Sequence, residues 1–481
     1  MDILVIESFS WNPHIETAGE IAIKESISGF KTGFCFIDID NPDDCRFNHG
    51  NWYKRFFFIK KQQRIHQLKN ILKRFGVDII PSPVLPKSID LAIEHFSTSF
   101  PHTLEELREY KYNNAELGLA TTSSLITKTG ALDPVLAEHL ALTQKYLQSS
   151  ATVYEKSLLL LSTYKPNKII SFNGRFACAK AIFEAAKQLN VAIEYHERGA
   201  TYDRYEIFKK QPHDFQYIRQ QIKEYWHLND KNKKKVAHSF YKRRRQGDGI
   251  GWKSFTEQQE QGLTPTSAGK YRRAIYYSSS DDEFAAVGDL VKSPLFPTQR
   301  DAIHFLMTWV AKQDDYRLTI RVHPHLEKKN VRDRKWWNSL QGENVSVISS
   351  NSKVDSYALM TTADVVLAYN STIGVESTYW GKPSILLGDS LYSGLDCVYE
   401  PKSRHELTTL LEKNKLTPLP KRNCLPYGYY FLRRGIKFQY YSPSDLFSGT
   451  FLNQYLGPEP GYYRLLKTIK KLLLNKTQKI I

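Results

Sequence analysis

Three short stretches carry residues that could handle an anion or move a proton. The first is RLTIRVHP, where the apolar run Leu318 to Val322 encloses Arg321 and stops at His323-Pro324. The second is ADVVLAYNSTIGVEST, where Val365 to Ala368 is followed by Asn370, Ser371, Thr372 and Glu376. The third is AIYYSSSDDEF, where Ala274 to Ser278 leads into Ser279, Ser280, Asp281 and Asp282. An arginine, an imidazole and hydroxyls at a helix start suit a phosphate, because unpaired N–H groups and the helix dipole favour negative charge there. Ser278 and Ser279 could add to the cradle, with Asp281 and Asp282 equally able to cap the following segment. Glu376 lies one helical turn beyond Thr372, so the spacing places its carboxylate on the same face, where it could accept from two ribose hydroxyls. The competing reading makes Ser371-Thr372 a plain helix cap and His323 a plain strand end.

These stretches demand a particular scaffold. Short β-branched runs alternating with helical segments imply βαβ units and a parallel sheet. A further run, Ser384 to Leu387, follows Gly381-Lys382-Pro383. In an open parallel sheet, ligand-binding residues collect at the carboxyl ends of the strands.

The amino-terminal half repeats this grammar. Ile3 to Ile6 reads as a first strand, followed by a turn through Asn12-Pro13-His14 and a helix from Glu16 to Ser28. His14, Glu16 and Thr17 are thereby placed to face a cleft, although Glu16 could equally serve the dipole of its own helix. Lys168 to Phe172 ends in Asn173-Gly174-Arg175, and Val191 to Tyr195 ends in His196-Glu197-Arg198-Gly199. Residues 33–38 and 77–80 read as further strands. Residues 104–164 read as a solvated helical insertion broken near Gly130 and Pro134.

The pair RVHP and ADVVLAYNSTIGVESTYWGKPSI resembles the carboxyl-terminal half of bacterial capsule and surface-polysaccharide glycosyltransferases of GT-B fold. That group includes the capsule Kdo transferases and the polysialyltransferases, which share an HP motif and a downstream Ser/Thr motif. FNGR and HERG resemble the last βαβ unit of the amino-terminal domain in the same group, and the HIET run resembles its start. The resemblance implies that His323, Ser371 and Thr372 hold the phosphate of a nucleotide-sugar donor. It implies an α/β chain of two Rossmann-like, doubly wound domains facing a cleft, with the final helices returning to the first domain. The expected division is an acceptor domain over 1–255, a donor domain over 256–425 and crossover helices over 426–481.

On this reading the donor is bound by Arg321, His323, Asn370, Ser371, Thr372, Glu376, Ser278 and Ser279. His14, Thr17, Asn173, Arg175 and Arg198 meet the acceptor, a glycan or lipid-linked glycan. His323 assists the departing phosphate. The base is Glu16 or Glu197. Glu16 is weighted higher because Arg198 directly follows Glu197, and a cationic neighbour weakens a carboxylate base. No resident cofactor is expected and no metal, since no DxD-type pair precedes the donor motifs. Three rivals compete with sugar transfer: a CDP-polyol phosphotransferase of capsule or teichoic-acid type, a nucleotide-sugar epimerase, and a non-catalytic binding protein.

Length and charge bound the rest. At 481 residues, two domains are the default. The formal charge of +17 favours a polyanionic partner. No nucleic-acid-binding signature accompanies it, which leaves anionic lipid or an acidic polymer, and an anionic membrane surface is one expected partner. The run KNKKK and YKRRRQGDGIG over 230–251 reads as a solvated, charged domain boundary. Tyr462 to Leu473 follows helical spacing with interleaved lysines, as a basic amphipathic helix does. The opening MDILVIES lacks the pattern of a signal peptide, and no apolar run reaches membrane-spanning length. Cys35, Cys45, Cys178, Cys397 and Cys424 lack metal-binding spacing and fit reduced thiols. The expected location is the cytoplasm, peripheral on the inner face of the membrane.

Overall fold

A computed structural model describes the chain apart from residues 45–50, 251–253, 255, 257, 267–268, 281–284, 292, 294, 329–330, 458–464 and 466–481, and apart from the side chains of 51–59, 289, 328 and 331. The first sheet takes its strands from β1 (Ile3–Glu7), β2 (Thr32–Phe36), β3 (Asp78–Ile80), β4 (Lys168–Phe172), β5 (Ala192–Arg198) and β6 (Arg204–Phe208). The second contains β7 (Arg272–Tyr277), β8 (Tyr316–Arg321), β9 (Val345–Ile348), β10 (Val365–Ala368) and β11 (Ser384–Leu386). The strand β12 (Ile436–Lys437) returns to the first sheet. The orders are β12-β6-β5-β4-β1-β2-β3 and β11-β10-β7-β8-β9. The second sheet is wholly parallel; in the first, β6 and β12 add antiparallel edges.

Strand alternation builds a core on each face, as period-two side-chain geometry requires. Leu4 and Ile6 enter one core with Ile169, while Ile3 and Val5 enter the opposite one with Phe34 and Ile170. In the second sheet Tyr276, Ile320 and Leu367 share one core, and Ile275, Tyr277 and Val366 the other. Each sheet reverses its winding direction once, between β1 and β4 and between β7 and β10, and each reversal opens a crevice at the strand carboxyl ends. This is the two-domain α/β architecture expected of a GT-B chain.

Several expectations require correction. Residues 104–164 form helices over Leu104–Glu109, Leu117–Thr129 and Leu140–Tyr164, and these belong to the core rather than to a solvated insertion. Leu125, Tyr146, Leu147, Ala151 and Tyr154 are buried. The strand β9 was not expected, and residues 396–399, whose apolar Cys397 and Val398 could read as one more strand, contribute only a single bridge between Ile385 and Tyr399. The terminal segment returns through the helix Leu425–Arg433 and β12. Glu20 fastens it by accepting from the backbone N–H groups of Gln439, Tyr440 and Tyr441 at 2.7, 2.7 and 3.1 Å. The basic helix expected over 462–474 lies, but for Leu465, outside the described residues. No helix among the described residues is long and apolar enough to cross a membrane.

Candidate functional site

Two cavities occupy the two crevices. The smaller, about 80 Å³, sits at the carboxyl ends of β7, β8 and β10, lined by Ser278, Arg321, His323, Ser371, Thr372 and Glu376 together with Arg244 and Tyr357. The larger, about 890 Å³, lies between the sheets and is lined by His14, Asn173, Arg175, Glu197 and Arg198, among others. Arg244 and Thr372 line both, so the two spaces adjoin. The smaller is well under the roughly 300 Å³ of an ordinary ligand pocket and fits the charged end of a ligand whose remainder extends outward.

In the small cavity, the Ser278 hydroxyl accepts the His323 backbone N–H at 2.7 Å, tying the end of β7 to the end of β8. The His325 backbone N–H donates to His323 Nδ1 at 3.1 Å. A ring nitrogen that accepts carries no proton, so the neutral imidazole holds its hydrogen on Nε2 and can donate it. Thr372 stands at the N-cap position of the helix Ile373–Tyr379 but caps nothing; its hydroxyl donates to Glu376 Oε1 at 2.9 Å. The Tyr357 hydroxyl donates to the other Glu376 oxygen. Arg244 Nε stands 3.6 Å from Glu376 Oε1.

Four donor-side expectations change. Glu376 is 1% exposed and both its oxygens have protein partners, so it organises the pocket wall instead of offering an open acceptor for ribose. Arg321 is equally buried and curls under the pocket, donating to the carbonyls of Val322, Ser349, Ser352 and Val354 at 3.3, 2.6, 3.3 and 3.4 Å. Burial presses its pKa below the usual arginine value, with Tyr277 opposing. Its charge still acts on the cavity, but both terminal nitrogens are committed to backbone. The Ser279 backbone is bonded to the Gln299 side chain at 2.9 and 3.3 Å, and neither Ser279 nor Asn370 lines either cavity. Asp281 and Asp282 lie outside the described residues.

In the large cavity, Glu197 is the carboxylate at the end of β5, its side chain 24% exposed. Its Oε2 accepts from Asn173 Nδ2 at 2.7 Å and its Oε1 from the Arg198 backbone N–H at 2.9 Å. His14 Nδ1 is 3.8 Å from Oε1. Asn173 adopts a left-handed φ of 57°, and Gly174 follows at 75°, which turns the chain sharply at the end of β4. The His14 ring rests on Phe172 at 4.0 Å between centroids. Beneath lies the pair Glu7 and His196, both fully buried and 2.6 Å apart, bracing β1 against β5.

The acceptor-side expectations divide. His14, Asn173, Arg175 and Arg198 all line the cavity. Arg198 sends its guanidinium to the Asn12 carbonyl at 3.3 Å and over the Phe447 ring, not onto Glu197, so the reason for discounting Glu197 disappears. Glu16 is 1% exposed, lines neither cavity and is paired with Arg64; burial pushes its pKa up against the pull of that arginine. Thr17 is 2% exposed, its hydroxyl spent on the Pro13 carbonyl at 2.8 Å. Neither is a cleft residue.

Sequence reasoning missed several residues that line these cavities. Arg244 lay in a charge run read as solvated. Asp43 lies against the large cavity and accepts from Ser124 and Tyr146 hydroxyls at 2.7 Å each; burial raises its pKa, with these hydroxyls opposing. Burial, aided by Arg175, pushes the His213 imidazole down to about 3, so it is neutral at physiological pH. Arg434 arrives from the returning segment and pairs with Glu206 at 2.5 Å. Among the described residues, no group of three His, Cys, Asp or Glu is arranged to hold a metal ion.

No protein-family model matches this sequence, and no curated protein is significantly similar to it. Among solved structures, the chain is similar to the beta Kdo 2,4 transferase KpsC of Thermosulfurimonas dismutans, with TM-score 0.36 and 13% identity over 55% of this chain and 79% of that one. It is similar to the glycotransferase of kitacinnamycin, with TM-score 0.24 and 10% identity over 89% and 94%. It is also similar to the UDP-GlcNAc 2-epimerase of Neisseria meningitidis, with TM-score 0.22 and 11% identity over 90% and 94%. The two-sheet architecture stands on the chain's own topology, and these likenesses carry no assignment of chemistry.

Proposed function

We propose that the protein is a glycosyltransferase that moves a sugar from a nucleotide-sugar donor to a surface glycan of capsule or lipopolysaccharide type. The observation that carries this is the adjoining pair of cavities: a small cationic, hydroxyl-lined one on the second sheet opens beside a large one whose polar end is Glu197. The small cavity suits the donor phosphate, with the His323 imidazole N–H, the Ser371 and Thr372 hydroxyls and the positive charge of Arg321 around it. The large cavity suits the sugar and the acceptor.

In the transfer step Glu197 takes the proton from an acceptor hydroxyl as that oxygen bonds to the anomeric carbon. The bond from that carbon to the phosphate oxygen breaks, and the nucleotide departs with the electron pair, its charge met by His323 and the nearby arginines. No resident cofactor enters this scheme, and the cations that meet the leaving group are side chains. An epimerase would need no acceptor space, so the 890 Å³ cavity weighs toward transfer.

The test is a thermal-shift screen with CMP, CDP, UDP, GDP and their sugar conjugates. A ligand at a hundred times its Kd adds about 2.7 kcal/mol to native-state stability and raises the midpoint by several degrees. A chain that responds to none of them is not a nucleotide-sugar enzyme.

A further inference from the structure

The helix Lys233–Arg245, between the two sheets in sequence, lies alongside the helix Ile373–Tyr379. His238 Nδ1 meets the Tyr379 hydroxyl at 2.8 Å, and the Tyr241 ring stacks on Tyr379 at 3.8 Å between centroids and 11° between planes. The Tyr241 hydroxyl donates to the Cys424 carbonyl at 2.5 Å, fixing the helix from the other side. Residues 238, 241 and 244 are three apart and share one face, as do 376 and 379. The register that stacks Tyr241 on Tyr379 therefore delivers Arg244 to Glu376.

A guanidinium has five N–H donors, and the groups that engage those of Arg244 among the described residues are Glu376 and Tyr357. Its Nε is shielded from water and unpaired, and its only ion pair, Glu376, stands at 3.6 Å, beyond hydrogen-bond reach. Burial, the largest influence on Arg244, works against its charge and is outweighed by Glu376 and nearby tyrosines, so the group is held as a cation. Arg321, the other arginine lining the small cavity, has spent its terminal nitrogens on carbonyls. The Arg244 side chain is 27% exposed and lines both cavities, so its guanidinium, unlike that of Arg321, is open to a ligand entering either one.

We propose that Arg244 is the residue that hydrogen-bonds the donor's phosphate, supplied to the second domain's cavity by the inter-domain helix. Glu376, held by Tyr357 and Thr372, keeps the guanidinium charged and aimed, and leaves most of its five donors for the ligand. The donor site is complete only while this helix is seated. The inference rests on the reading of the small cavity as the phosphate end of a nucleotide-sugar site.

The experiment measures binding of CMP, CDP, UDP and GDP, with cytidine, uridine and guanosine as phosphate-free controls, to wild type, Arg244→Gln and Arg244→Lys. Hydrogen bonds to a charged group justify an expected weakening of about 10- to 100-fold for the preferred nucleotide in Arg244→Gln. The matching nucleoside should bind as before, and Arg244→Lys should fall between, since an ammonium lacks the planar fork. Should Arg244→Gln fail to fold with Glu376 left uncompensated, Arg244→Gln/Glu376→Gln against Glu376→Gln carries the same comparison. Unchanged nucleotide affinity, or equal loss for nucleotide and nucleoside, overturns the role of Arg244 and leaves the donor cavity standing. A wild type that binds nucleotides no better than nucleosides overturns the cavity's assignment, and this inference falls with it.

Discussion

Replacing Glu197 by glutamine separates its chemical role from its structural one. The carboxylate accepts two protein hydrogen bonds, from Asn173 Nδ2 and from the Arg198 backbone N–H. Glutamine has one acceptor oxygen, and the Arg198 N–H cannot turn away, so that oxygen must serve it. The amide nitrogen then meets the Asn173 amide, donor against donor. Asn173 cannot flip at no cost, because its Oδ1 accepts the Arg175 backbone N–H at 3.1 Å. The structural penalty is one hydrogen bond, about 1 kcal/mol, or roughly 2–4 °C in the melting temperature of a domain this size. The chemical penalty is far larger: an amide cannot take the acceptor's proton, and loss of a general base lowers kcat about 10²- to 10⁴-fold, or about 3–5 kcal/mol of barrier. The assay is nucleotide release at saturating donor and acceptor, with the donor chosen by the binding screen and Glu16→Gln measured in parallel. Glu16→Gln should keep kcat within about threefold of wild type, because Glu16 reaches neither cavity. The reasoning is refuted if Glu197→Gln retains near-normal kcat with a folded midpoint, and Asp43 then becomes the carboxylate to test.

Gly174→Ala should lower the melting temperature by at least several degrees. A Cβ there meets the buried Tyr195 ring at 2.5 Å, and the φ of 75° alone costs a side chain about 1–2 kcal/mol. His213 makes stability pH-dependent with a definite sign. Its folded pKa, about 3, lies below the ordinary 6.5, so the unfolded chain takes the proton first and stability falls as pH drops from about 6.5 toward 3. Comparing acid unfolding of wild type and His213→Phe isolates this contribution, and the variant should lose less stability over that window. EDTA should leave turnover unchanged, since the charges around the leaving group are supplied by arginines; loss of activity restored by Mg²⁺ or Mn²⁺ would place a metal in the site.

The strand ends were legible because their signal is local. Val365 to Ala368 reads directly as β10, and the breaks at His323-Pro324 and Asn173-Gly174 do end β8 and β4. Side-chain direction was not legible. Arg321 stands where a phosphate ligand should, but the loop through Ser349 and Val354 offers it carbonyls, and no local pattern announces that. Glu16 looked unpaired because its partner Arg64 lies 48 residues further on. The helices of 117–164 looked solvated because they carry many hydroxyls. Several of those hydroxyls bond back along the helix, Thr127 to the Ser123 carbonyl at 3.0 Å and Ser149 to that of Lys145 at 2.8 Å, which lowers the cost of packing them against the core.

The same distinction explains why half of the site could not be assigned to one domain. The motif HP-and-Ser/Thr belongs wholly to the second sheet, and the carboxylate Glu197 wholly to the first. Transfer requires the two to face each other at a fixed separation, so the contacts between the halves are part of the site's chemistry. Arg219 reaches across to Asp389 and donates from Nε to the Ser390 carbonyl at 2.9 Å. On another edge, Arg300 pairs with Asp333 at 3.0 Å and Asp133 at 3.6 Å, while Asp333 accepts the Leu132 backbone N–H at 3.2 Å. Apart from Arg300–Asp333, each joins residues more than 160 apart in sequence, and none resembles a motif. Arg244 is the extreme case. It belongs to the connecting helix, its ion-pair partner lies 132 positions away at Glu376, and its aim is set by an aromatic stack one turn earlier. A charge run is read as solvated because most are; what turns this one inward is the tyrosine three residues before it.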